Sequence, residues 1–147
     1  MKTYLKQPLI YFVFLLNFLF LSSSKLPDDP LTGVWKGYLT QKEGGLATKY
    51  DFTITFKLNT DNRITGESRL DLPNGTFGVI TLIGEKLNKK IVVKELSIKK
   101  HNMNVKEGAW CIKKYTLQLK KNTLKGNWFG CIVNSETPEG EIYLERE

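Results

Sequence analysis

From Tyr50 to Leu58 the chain reads Tyr-Asp-Phe-Thr-Ile-Thr-Phe-Lys-Leu, apolar and polar in unbroken alternation. Successive side chains of a strand point to opposite faces, so this run buries one face and wets the other. It is the clearest of eight such segments that begin with Gly33-Val34-Trp35. No stretch of useful length carries a helical period. The nearest, Ile91 to Lys100, is rich in β-branched residues that favour a strand. The expected fold is all-β: an antiparallel, up-and-down, eight-stranded β-barrel around one core.

The first 24 residues stand apart. Lys2 and Lys6 make a basic start, Leu9 to Leu21 is apolar except for Asn17, and Ser22-Ser23-Ser24 supplies small residues for cleavage. This three-part pattern predicts a secretory signal peptide over residues 1–24, and hence a periplasmic or secreted protein. The apolar run, about thirteen residues, is short of the ~20 that span a bilayer. No cysteine follows it to carry a lipid anchor. Residues 25–147 are then one domain, because about 120 residues support a single core.

The whole chain carries +7, and Lys2 and Lys6 are the only charges in residues 1–24, which leaves +5 afterwards. Lysines crowd the second half, among them Lys94, Lys99, Lys100, Lys113, Lys114, Lys120, Lys121 and Lys125. Such a face attracts anionic surfaces or envelope proteins. It also keeps strand edges from pairing with other chains, and as a solvated outer face it needs no partner. No aromatic-and-glycine RNA-binding signature accompanies it, so nucleic acid is not expected.

Turn residues set the registers. Asn59-Thr60-Asp61-Asn62-Arg63 fits a three-residue loop with Asn62 left-handed, which pairs Asn59 with Arg63. Phe56 then faces Gly66, Ile54 faces Ser68 and Phe52 faces Leu70, so both inward sets coincide. Pro73-Asn74-Gly75 closes the next hairpin as either a two- or a three-residue turn. The choice decides whether Phe77, Val79 and Ile83 or Ile80 and Leu82 point inward. Asn74-Gly75-Thr76 also matches a glycosylation acceptor, though Asn-Gly is accounted for by turn chemistry.

Around Lys120-Lys121-Asn122 a three-residue loop with Asn122 left-handed would pair Leu119 with Thr123 and set Cys111 opposite Cys131. An exported chain with only these two cysteines is expected to bridge them. His101 is the sole histidine and no Cys-x-x-Cys occurs, so neither a metal site nor a cofactor is expected.

The last strand places Ile142, Leu144 and Arg146 on one face. Barrel closure would bring it beside the first strand, where Gly33, Trp35 and Gly37 share a parity. Arg146 then either lies over the Trp35 indole or extends into solvent.

The Gly-x-Trp opening, the hairpin-linked strands and the late basic residue resemble the calycin superfamily of lipocalins and their smaller relatives. Trp110-Cys111 and the Gly126-Asn127-Trp128-Phe129-Gly130-Cys131 run are similar to small lipocalin-like domains of bacterial envelope proteins. Leu31-Thr32-Gly33-Val34-Trp35 also resembles the opening of avidins, but Lys36-Gly37 stands where those carry a biotin-binding asparagine. The calycin resemblance implies a barrel closed by Gly33, Trp35 and Arg146 and a binding or assembly role.

No nucleophile elbow, phosphate-cradling loop or metal-ligand cluster is present, and the expectation is a protein that is not an enzyme. Glu67 and Asp71 alternate with Arg63 and Arg69 on an outward face, as solvated cross-strand ion pairs do. Two functions remain open. One is a binder holding a small apolar or amphipathic ligand inside the barrel, with Gly37, Phe56, Gly66 and Ser68 lining the space. The other is an envelope protein- or glycan-interaction module with a filled barrel, using Tyr38, Tyr143 and the lysines.

Overall fold

In the computed structural model, residues 29–42, 45–103, 110–130 and 138–147 are described, and the expected signal segment and Cys131 lie outside them. Eight strands follow one another: β1 Gly33–Thr40, β2 Lys49–Leu58, β3 Arg63–Asp71, β4 Phe77–Leu87, β5 Lys90–His101, β6 Lys114–Lys120, β7 Thr123–Phe129 and β8 Gly140–Arg146. Each pairs antiparallel with the next, and β8 returns to β1 to close an up-and-down barrel. Closure leaves the sheet with no terminal strand to template aggregation.

The β2–β3 register is the one expected, with Phe56 opposite Gly66, Ile54 opposite Ser68 and Phe52 opposite Leu70. Asn62 adopts φ 62° in its turn. Between β3 and β4 the three-residue alternative holds: the Leu72 amide donates to the Thr76 carbonyl at 2.7 Å, and Gly75 takes φ 80°. That choice turns Ile80 and Leu82 inward and leaves Ile83 on the outer wall.

The β6–β7 hairpin differs from expectation. Lys120 pairs with Thr123 and Leu119 with Leu124 across a two-residue turn, and Lys121, not Asn122, takes the positive φ. Pairing therefore slips by one residue and ends at Lys114 opposite Phe129. The paired residues stop short of Cys111, and Cys131 lies outside the described residues, so strand register does not bear on their pairing.

The interior is occupied by large side chains. Trp35, Phe52, Ile54, Phe56, Tyr115 and Trp128 are each at most 1% exposed. Gly37 and Gly66 face inward, but they do not thin the wall to make ligand space. A Cβ on Gly37 would lie 2.1 Å from the Tyr143 carbonyl oxygen, and one on Gly66 2.0 Å from that of Thr55. These glycines let one strand fold closely over the next, as barrel corners require. Gly66→Ala should therefore cost about 1–3 kcal/mol by overpacking. A urea midpoint equal to that of the parent protein would contradict this packing.

One barrel end is closed by a short strap. Trp35 Nε1 donates to the Leu31 carbonyl at 2.8 Å, and Leu31 is fully buried. Arg146 lies in register with Trp35. Its guanidinium donates to the Thr32 carbonyl at 2.9 Å and the Pro30 carbonyl at 3.2 Å. It does not extend freely into solvent, because the strap offers it carbonyl acceptors. The β3–β4 turn lies at the opposite end.

Candidate functional site

Three places can be compared: the barrel interior, a stacked aromatic row, and the outer wall of β3 to β6. Inside, Phe56 and Ser68 are 1% and 2% exposed, so the expected ligand-lining residues are packed. Ser68 belongs to a buried polar cluster that sequence reasoning missed. Its Oγ donates to Glu95 Oε1 at 2.5 Å, and the Tyr115 hydroxyl donates to the same oxygen. The Lys113 amide donates to Glu95 Oε2 at 2.8 Å, and Lys113 Nζ forms an ion pair with Oε2 at 3.6 Å. Nζ also donates to the Cys111 carbonyl at 2.9 Å.

The cluster sits where β5 and β6 stop pairing. Lys94 opposite Lys114 is the last rung, after which the Glu95 amide donates to the Lys113 carbonyl at 2.9 Å. The Glu95 carboxylate thus continues the ladder from within and ties β3, β5 and the entry to β6 together. Lys113, expected on the solvated outer face, is buried because it answers this carboxylate.

Burial pushes the Tyr115 hydroxyl well above the ordinary tyrosine range; the Glu95 charge and hydrogen bond act in the same direction, and Ser68 opposes them. Tyr115 therefore serves as a donor at neutral pH, not as a base. Burial lowers the Lys113 ammonium below the usual lysine range, against the charges of Glu95 and Glu139.

These shifts have opposite signs in stability. Above pH ~10 an unfolded tyrosine loses its proton while the folded Tyr115 keeps it, so its contribution falls as pH rises. Lys113 does the reverse: below ~10.5 the unfolded chain holds that proton more tightly, so stability rises as pH climbs through the lowered value. Tyr115→Phe is expected to make the stability loss above pH ~10 shallower than in the parent. Parallel curves in chemical denaturation at several alkaline pH values would count against it.

The aromatic row is less open than expected. Tyr38 and Tyr143 stack with centroids 5.5 Å apart. Lys49 Nζ lies 3.7 Å from the Tyr38 ring centroid, and Lys125 Nζ lies 4.7 Å from that of Tyr143. The stack spans β2, β1, β8 and β7 and staples the closing seam, with ammonium groups on its outer ring faces.

The outer wall of β3 to β6 does present open apolar surface. Ile83 and Val92 are 46% and 39% exposed and sit in a depression of about 780 Å³. Arg63, Glu85, Lys94 and Lys114 surround them. A Cβ on Gly84 would lie 2.3 Å from the Val92 carbonyl oxygen, so β5 folds tightly against β4 there. Gly84 also lines the depression.

No protein-family model, curated protein or solved structure matches the chain.

Elsewhere, Arg69 and Asp71 form an outward ion pair at 2.6 Å along β3, not across strands as expected, and Glu67 pairs with Lys99 at 2.5 Å. No group of three His, Cys, Asp or Glu able to hold a metal occurs among the described residues. No free cysteine occurs among them either.

Proposed function

We propose that this chain is an exported, non-catalytic interaction module of calycin-like build, with a filled barrel and its contact surface on the outer wall. The observation that carries this reading is the occupation of the interior: Phe56 and Ser68 are packed, while Ile83 and Val92 lie open on the outside. The Gly33-Val34-Trp35 opening and the return of β8 to β1 support the calycin-like assignment. The basic, apolar and small-residue pattern of residues 1–24 supports export.

The test is amide NMR of the purified protein titrated with decanol, an uncharged apolar probe. A filled barrel leaves the Ile54, Phe56, Ser68 and Tyr115 amides unmoved. Saturable shifts at those positions would replace this reading with a ligand held inside the barrel.

Export also bears on Cys111 and Cys131, which we propose to be joined in one intramolecular disulfide. Support comes from the cysteine count and the compartment, not from strand register. The bond would close a loop of about twenty residues, worth ~3 kcal/mol on chain-entropy grounds, less whatever the hairpin already supplies. Intact-mass analysis should find no alkylatable thiol before reduction and two after it. Two reactive thiols in unreduced protein would refute the pairing.

A further inference from the structure

The depression on the outer wall combines two features that point to one kind of ligand. Lys94 and Lys114 are direct partners across β5 and β6 and point to the outer face. Like charges placed opposite each other on antiparallel strands repel. Neither has a carboxylate within ion-pairing distance among the described residues, whereas Lys36, Lys86, Lys99 and Lys113 each have one. An anion between the two ammonium groups would relieve that repulsion. Beside them, Ile83 is paired with Lys94, and Val92 follows on the adjoining rung opposite Glu85. An apolar floor therefore begins where the cationic pair ends.

We infer that this depression binds a single-chain anionic amphiphile, with its phosphate or carboxylate head between Lys94 and Lys114 and its alkyl chain over Ile83 and Val92. Arg63 at the rim is already ion-paired with Asp61 at 3.0 Å and stands opposite Glu85, so the charge for the head group rests on the lysine pair. A volume of about 780 Å³ lies within the range of small-molecule sites. An extended peptide is disfavoured here because the backbone is already committed. Thr65–Ile83, Ile83–Lys94 and Lys94–Lys114 form a continuous paired row, so no strand edge is left for augmentation. The inference rests on the outer wall being the contact surface.

Calorimetric titration of the purified protein with dodecyl phosphate, below the concentration at which it forms micelles, tests the assignment. One saturable site is expected. K94Q/K114Q should weaken binding by at least about tenfold while leaving thermal stability equal or higher, since a repulsive pair has been removed. Shortening the probe to octyl phosphate should also weaken it by at least about tenfold, because apolar burial scales with chain length. Ile83→Ser should reduce that chain-length dependence.

Absence of saturable binding, unchanged affinity in K94Q/K114Q, or equal affinity for inorganic phosphate would overturn the inference. So would preferential binding of phosphatidylglycerol vesicles or of a glutamate-rich hexapeptide. Amide shifts separate the two levels of reading. Failure of dodecyl phosphate to bind removes this inference and leaves the filled barrel intact. Binding that shifts Ile54 and Phe56 instead of Ile83 and Val92 removes both.

Discussion

Replacing Glu95 by leucine is expected to lower stability by about 3–5 kcal/mol, the cost of removing one partner from a buried ion pair. The volume is nearly kept, so the loss comes from stranded polar groups. Ser68 Oγ, the Tyr115 hydroxyl and the Lys113 amide all donate to this carboxylate, and the buried Lys113 ammonium faces it. Each donor left without an acceptor adds its own desolvation penalty. Glu95→Gln should cost less, because an amide oxygen still accepts from the hydroxyls. Adding Lys113→Met to Glu95→Leu should recover part of the loss by removing the orphaned cation, and a double-mutant cycle should return a coupling above about 1 kcal/mol. Urea denaturation measures all five proteins, the parent and the Lys113→Met single variant included. A Glu95→Leu loss below about 1 kcal/mol would show that water reaches the cluster and that it does not hold β5 to β6.

The visibility of this barrel in its sequence varied with the chemistry of each turn. β2 and β3 were legible in full because strict alternation fixed the faces and Asn62 marked the left-handed turn position. At β6–β7 the same rule misplaced the pairing. Asn122 was the better left-handed candidate by propensity, but Lys121 takes that conformation and the loop shortens by one residue. Tertiary pairing overrode the local preference. The inward glycines were legible as small residues but not as close backbone approaches, since only the neighbouring strand shows that a carbonyl fills the space.

Glu95 carried a readable signal that went unused. It shares strand parity with Ile91 and Val93, both buried, so the period of two already placed a carboxylate inside. What could not be read was its set of partners, which come from β3, from β6 and from the residue just before β6. The outer depression was equally hidden. Lys94 and Lys114 look like any solvated lysines until the β5–β6 register sets them face to face.

Trp35→Ala should likewise cost about 3–5 kcal/mol, the usual range for emptying a buried tryptophan site. Trp35 is fully buried, and its ring does more than fill volume. Through Nε1 it holds the Leu31 carbonyl, and Leu31 is itself buried beneath the strap that closes this barrel end. Asp29 continues the strap by accepting the Leu31 amide at 2.6 Å, and Lys86 reaches Asp29 at 2.9 Å. The Leu58 amide donates to Thr32 Oγ1 at 3.1 Å, which joins the strap to β2. Losing the indole therefore removes packing and the one side-chain donor that binds Leu31 from within. Trp35→Phe keeps most of the apolar area and leaves that carbonyl without its indole donor, so a smaller loss of about 1–2 kcal/mol is expected. Hydrogen exchange distinguishes the strap from the barrel as a whole. In Trp35→Phe the Leu31, Thr32 and Leu58 amides should exchange faster while Ile54 and Leu117 keep their protection. If Trp35→Ala leaves the melting temperature unchanged, the indole is not the anchor of this end of the barrel. If Trp35→Phe accelerates exchange evenly across all eight strands, the strap has no separate stability and closure is a property of the whole sheet.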